Sequence, residues 1–140
     1  MKPPDMSATW HSVRRLDAWW PEFERRVVKD TFKWLDPRGL LEHPYLHGWL
    51  LLTDEPLPQV VGHIAITVES DGYNRHVWGR QVRIDGHQPG AWKAGWRLVD
   101  DIARQFKAKY ILSVTGRNGA AFARASQSEV MGTLIRRTVM

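Results

Sequence analysis

The stretch Val60-Val61-Gly62-His63-Ile64-Ala65-Ile66-Thr67-Val68-Glu69 decides the fold. Its residues alternate with period two. Val60, Gly62, Ile64, Ile66 and Val68 fall on one face, and Val61, His63, Ala65, Thr67 and Glu69 on the other. That pattern, rich in β-branched residues, predicts a strand. Ser70-Asp71-Gly72-Tyr73-Asn74 follows as a hairpin-type turn. His76 to Ile84 is then the next strand, with Gly79 marking a candidate bulge.

Downstream, Asp85-Gly86-His87-Gln88-Pro89-Gly90 breaks the sheet. Ala91, Gly95, Leu98, Ile102 and Phe106 recur at helical spacing, so a helix is predicted to about Lys107. Tyr110 to Val114 is a buried strand, Ala120 to about Ser126 a short helix, and Gly132 to Val139 a last strand. Upstream, residues 1–9 read as a loose tail, and the single domain is placed from residue 11 to 140 after a flexible segment of ten. Trp20, Phe23, Val27, Thr31 and Trp34 form an apolar stripe, which predicts a short helix near 12–20 and a longer one near 21–35, with Pro21 in its first turn. Asp36-Pro37-Arg38-Gly39 then stops helical structure, and 40–47 is a loop. Trp49 to Leu52 is a strand ahead of the turn at Asp54 to Pro58. The order is α-α-β-β-β-α-β-α-β: an α/β fold with a mixed sheet, antiparallel at its start, and helices on both faces.

Composition bounds what such a chain does. It has 140 residues, one domain's worth, with 43% hydrophobic and 25% charged residues. The longest apolar runs are short, Gly48 to Leu52 and Val60 to Ile66, so no stretch spans a bilayer. The N-terminus lacks the apolar region of a signal peptide. Cysteine is absent, which excludes disulfides, thiolate catalysis and cysteine-based metal sites. A cytoplasmic location is the expectation. The net charge of +5 favours an anionic partner without choosing between a nucleotide cofactor and a nucleic acid. Eight tryptophans beside four Phe and three Tyr imply that Trp replaces other aromatics in the core. Trp19, Trp20 and Trp92 are the ones to check for exposure.

This order and its local motifs resemble the GNAT (Gcn5-related N-acetyltransferase) superfamily. That family opens with two helices and three antiparallel strands, then a Gly-rich turn into a long helix, a strand, a second helix and a final strand. Here residues 12 to 139 match, without an obvious first strand. The family's acyl-CoA loop reads roughly Gln/Arg-x-x-Gly-x-Gly/Ala. The equivalent stretch is Gln88-Pro89-Gly90-Ala91-Trp92-Lys93, with Gly and Ala one residue early. The resemblance implies acetyl-CoA binding and acetyl transfer to an amine. Val82, Ile84, Gly90, Ala91, Trp92 and Lys93 would hold the cofactor, and Asn118 would line its path. A turn from strand into helix is independently a ready anion site, because backbone N–H groups and the helix dipole converge there. Arg83 and Lys93 are candidates to add positive charge.

Acetyl transfer needs a base for the amine, a donor for the oxyanion and an acid for the thiolate. The resemblance leaves gaps. The helix after Asn118 has Phe122 where the family often has Tyr, and the strand His76 to Ile84 has no Glu or Asp. Base candidates are His63 and Glu69, with His76 across the hairpin. The alternative for His63 is a half-buried sheet residue with a satisfied hydrogen bond, and for Glu69 a solvated charge. His43 and His47 have an i, i+4 spacing, but Pro44 argues against a helix and no third ligand is evident, so no metal is expected. The runner-up is a catalytically degenerate member like the small GNAT-fold proteins of tailed bacteriophages, acting in the virion or on a host protein partner. Nucleic-acid binding through Arg117, Arg124, Arg136 and Arg137 lacks an accompanying motif.

Overall fold

Thr9-Trp10-His11-Ser12-Val13 shows what the sequence reading misplaced. A computed structural model describes residues 7–31 and 36–113. In it Ala8–Val13 is strand β1, paired antiparallel with strand β2, Leu46–Thr53, from Ala8 opposite Thr53 to Val13 opposite Gly48. Residues 8–10 are therefore not tail, 12–19 are not helix, and the helix expected near 21–35 runs from Trp20 to Asp30. The first strand that the resemblance lacked is present. Its partly buried Trp10 packs against the core on one face of the sheet and donates from Nε1 to the Ala91 carbonyl at 2.9 Å.

Helix α1, Trp20–Asp30, has Pro21 in its first turn as its fixed φ allows. Its stripe buries Phe23 and Val27 completely. Each burial contributes on the order of 1.5–3 kcal/mol. Instead of ending helical structure, Asp36 caps a short helix α2, Pro37–Leu41, by accepting from the Arg38 amide at 2.9 Å. Pro37 occupies the position where a missing N–H costs nothing.

β3, Val60–Ser70, and β4, Arg75–Ile84, form the expected hairpin. The turn is closed by Asp71, whose carboxylate accepts from the amides of Tyr73 and Asn74. β3 is the middle strand of five in the order β1-β2-β3-β4-β5. β5, Tyr110–Ser113, runs parallel to β4. Between them lies α3, Ala91–Gln105.

The two faces of β3 carry two cores. Ile64, Ile66 and Val68 pack with Trp49, Val77, Val99 and Ala103 beneath α3. Ala65 packs with Val13, Phe23, Val27, Leu41, Leu50 and Leu52 beneath α1 and α2. The result is a three-layer α/β/α arrangement. α3 buries Ala91, Gly95, Val99 and Ala103, with Leu98, Ile102 and Phe106 flanking them. The expected stripe is thus rotated toward its small residues. A Cβ on Gly95 would sit 3.1 Å from Ile64 Cδ1 and 3.4 Å from Trp10 Cζ2, so glycine lets α3 lie this close to the sheet without displacing Ile64.

A register shift in the hairpin sets up the site. Ala65 pairs with Gln81 but Ile66 pairs with Gly79, so Arg80 is an extra residue in β4. This is the bulge anticipated at Gly79, displaced by one. Among the described residues, the pairing with β5 runs from His76 opposite Tyr110 to Gly79 opposite Ser113. The short helix and last strand expected at 120–126 and 132–139, Asn118, Trp34, and Arg117, Arg124, Arg136 and Arg137 lie outside the described residues.

Candidate functional site

On the α3 face, the loop after β4 turns through Gly86 (φ +65°) and Gly90 (φ +74°) into the helix. Gly90 is the N-cap, and no side chain caps α3. A left-handed φ already selects glycine there. In addition, nothing lies within 4 Å of where its Cβ would be, so the approach to the first turn is open. Ala91 and the exposed Lys93 are in that turn. Directly beside it runs a narrow apolar cleft. β4 contributes Val82 and Ile84, α3 contributes Trp92, Gly95, Trp96 and Val99, and Trp10 and Ile64 complete it. Of the expected cofactor residues, Val82, Ile84 and Trp92 line the cleft, while Gly90, Ala91 and Lys93 are only its chain neighbours at the start of α3. Arg83 does not join them. It lies on the α1 face, bonded to Asp30 at 2.9 Å and Asp85 at 3.0 Å.

On the α1 face, His63 is completely buried. Gln81 determines its tautomer. The Gln81 amide nitrogen donates to the Val27 carbonyl at 3.0 Å and to Thr31 Oγ1 at 2.8 Å. Its oxygen must then face His63 Nε2, 2.9 Å away, and accept a hydrogen bond from the Nε2–H. Nδ1 is left as an acceptor and takes the Arg26 Nε–H at 3.1 Å. Arg26 also reaches Asp85 at 3.1 Å. Burial pushes the His63 pKa down, and the neighbouring Arg26 charge adds to this against the opposing pull of Gln81 and the carboxylates of Asp30 and Asp85. His63 is thus a neutral hub joining α1 to β3 and β4, with both nitrogens occupied. The satisfied-residue reading describes it, except that it is fully rather than half buried.

Glu69 has a different setting. It lies on the same face of β3 as His63, six residues along, or about 20 Å at the rise of a strand. The two cannot act on one atom. Arg80 swings from the bulge across to β3, donating from Nη2 to Glu69 at 2.8 Å and from Nε to Thr67 Oγ1 at 3.1 Å. Its guanidinium stacks 4.9 Å from the Trp78 ring centroid. His43 Nε2 is 3.4 Å from one Glu69 oxygen and His76 Nε2 is 4.0 Å from the other. The Glu69 side chain keeps 28% of its exposure. A carboxylate that is reachable, oriented by a guanidinium and flanked by two imidazoles has the make-up of a proton acceptor with a relay. The sequence reading singles out Glu69 and His76 but not Arg80, Gln81 or Arg26. The bulge is what aims Arg80 at Glu69, and its only signal in the chain is Gly79.

His43 and His47 are not paired. His43 faces Glu69, while His47 on β2 lies against Phe106 of α3, with ring centroids 5.4 Å apart, on the opposite face. Among the described residues there is no group of three or more His, Asp or Glu arranged to hold a metal ion. No described helix is long and apolar enough to cross a membrane.

No family model matches the sequence, and no curated protein matches it. Solved structures do. An aminoglycoside N-acetyltransferase in complex with CoA superimposes with a TM-score of 0.68 over 99% of both chains, at 12% identity. An aminoglycoside acetyltransferase from an uncultured soil metagenomic sample, in complex with sisomicin, gives 0.69 over 95% of this chain and 97% of the other, at 13% identity. An acetyltransferase of Trypanosoma brucei gives 0.68 over 95% and 100%, at 11% identity. The chain has a GNAT-like α/β fold. In GNAT terms, β1 is the opening strand, β2 to β4 the antiparallel meander, and the Gly90 turn the start of the long central helix.

Proposed function

We propose that this GNAT-like chain binds acetyl-CoA and transfers its acetyl group to an amine. The observation that carries the reading is the Gly90 turn: a helix start without a side-chain cap, with open space at Gly90, two residues before Trp92 of a small apolar cleft. The helix dipole and the first-turn N–H groups suit a pyrophosphate, although the Ala91 N–H already donates to the Gln88 carbonyl at 3.1 Å, and the exposed Lys93 adds a cation. Val82 and Ile84 suit an uncharged arm running along β4, and Asn118 is expected to line its path. Acetyl-CoA, when bound, supplies an acetyl group activated as a thioester. The chain's own residues must deprotonate the amine and steady the oxyanion. Glu69 is the base in this reading, with His43 and His76 passing the proton to solvent. The extra residue of a bulge is left out of the ladder, which makes the Arg80 main chain the oxyanion donor of choice. His63 acts only through the position of α1.

The test is acetyl-CoA-dependent thiol release with a panel of amines. Glu69→Gln is expected to lower kcat by about 100-fold or more while acetyl-CoA affinity is kept. Equal kcat in the variant would remove Glu69 from the mechanism. A second reading, partner binding without chemistry, is favoured by one observation. Trp92 and Trp96 pack edge to face at 6.0 Å beside the same cleft and narrow it. That reading predicts no thiol release and no acetyl-CoA binding.

A further inference from the structure

The α1 face of β3 and β4 is balanced in charge, which constrains the acceptor. Among the described residues it carries three carboxylates, Asp30, Glu69 and Asp85. Each is matched by a guanidinium: Glu69 by Arg80 at 2.8 Å, Asp30 by Arg83 at 2.9 Å, and Asp85 by Arg83 at 3.0 Å and Arg26 at 3.1 Å. His43 and His76 add two imidazoles and no negative charge. An acceptor with several ammonium groups therefore meets no unmatched carboxylate here. An acceptor with one amine and one anionic group matches the Glu69–Arg80 pair one charge to one and leaves the face neutral.

Arg80 is the feature built for the anion. Thr67 and Glu69 hold its fork, Trp78 supports its plane, and 36% of its side chain stays exposed. A guanidinium fixed in this way loses little freedom on receiving an oxyanion and matches it with parallel N–H donors. Resting on the acetyl-transfer reading above, we infer that the acceptor is an amine that bears its own oxyanionic group, a carboxylate or a phosphate, and that Arg80 binds that group while Glu69 takes the amine proton. A polycationic amino sugar is the class this face disfavours.

The experiment pairs acceptors that differ only in that charge. β-Alanine is compared with its amide, phosphoethanolamine with ethanolamine, and sisomicin serves as the polycation. Acetyl-CoA binding is first measured by calorimetry, and thiol release is then followed. The expected result is kcat/KM at least tenfold higher for an oxyanionic acceptor than for its neutral twin, with sisomicin poorest. Arg80→Gln should raise KM for that acceptor tenfold or more, with a smaller change in kcat, and bring the ratio of the twins near one. Arg80→Lys should recover part of it. Which pair shows the preference distinguishes carboxylate from phosphate. Preference for a neutral twin or for sisomicin, an unchanged ratio in Arg80→Gln, or no turnover of any acceptor by protein that binds acetyl-CoA overturns this inference alone. Absence of acetyl-CoA binding overturns the functional reading and the inference with it.

Discussion

At the scale of single residues, His63 and Glu69 share a strand face and differ in everything that decides chemistry. His63 has no exposed atom and no spare lone pair; Glu69 has both. The burial of His63 has a consequence in pH. An unfolded chain takes up the proton near the ordinary histidine value of 6.5, while the folded chain resists it because burial and Arg26 oppose the charge. The unfolded state then binds more protons as pH falls below about 6.5, so stability is full above that pH and declines beneath it, down to the lowered folded pKa. His47, also pushed down by burial, adds to the same limb. His63→Gln is expected to lose about 1–3 kcal/mol at pH 7, because it leaves Arg26 or Gln81 short of a partner. It should also show a shallower decline from pH 7 to 5 than the parent. Denaturant midpoints across that range check both, and an unchanged slope would remove His63 from the account of acid sensitivity.

At the scale of elements, close packing explains positions that look neutral in the sequence. A Cβ on Gly48 of β2 would lie 2.5 Å from Cζ of the fully buried Phe23. Gly48→Ala is therefore expected to push α1 outward and cost about 1–3 kcal/mol. Thermal melts of the variant measure it, and a cost near zero would mean that α1 is not held by this contact. Elements with strong local periodicity were legible: β3, its hairpin and α3 stand where alternation and the Gly90 break place them. β1 was not, because an edge strand buries little. Of Ala8 to Val13 only Val13 is buried, and the polar Thr9, His11 and Ser12 blur the alternation. α2 was hidden because Asp36-Pro37 reads as a stop signal, whereas it serves as the N-cap and first residue of a new helix. The Gly90 turn was legible because one local stretch carries it. The Glu69 cluster was only half legible. Arg80 reaches Glu69 through a one-residue register shift, and His43 arrives from a loop 26 residues away, and neither is a property of local sequence.

At the scale of the whole molecule, the proposed reading puts two functions on the two faces of the sheet. The α3 face offers a turn and an apolar cleft for a cofactor; the α1 face offers Glu69 and Arg80 for an acceptor; the β4 bulge lies between them. The net charge of +5 adds a general attraction for a polyanionic ligand, which salt screens. Raising ionic strength from 0.05 to 0.5 M should therefore weaken acetyl-CoA binding severalfold, measurable by fluorescence of Trp92 and Trp96 beside the cleft. The most direct test of the central claim is calorimetric titration of acetyl-CoA into the parent chain, Gly90→Asn and Gly90→Asp. Both substitutions tolerate the left-handed backbone and have nearly the same shape, but only Asp places a negative charge at the turn. The account predicts micromolar binding by the parent, a small loss in Gly90→Asn and at least a tenfold greater loss in Gly90→Asp. Equal affinities in the two variants, or no binding by the parent at millimolar acetyl-CoA, would contradict it.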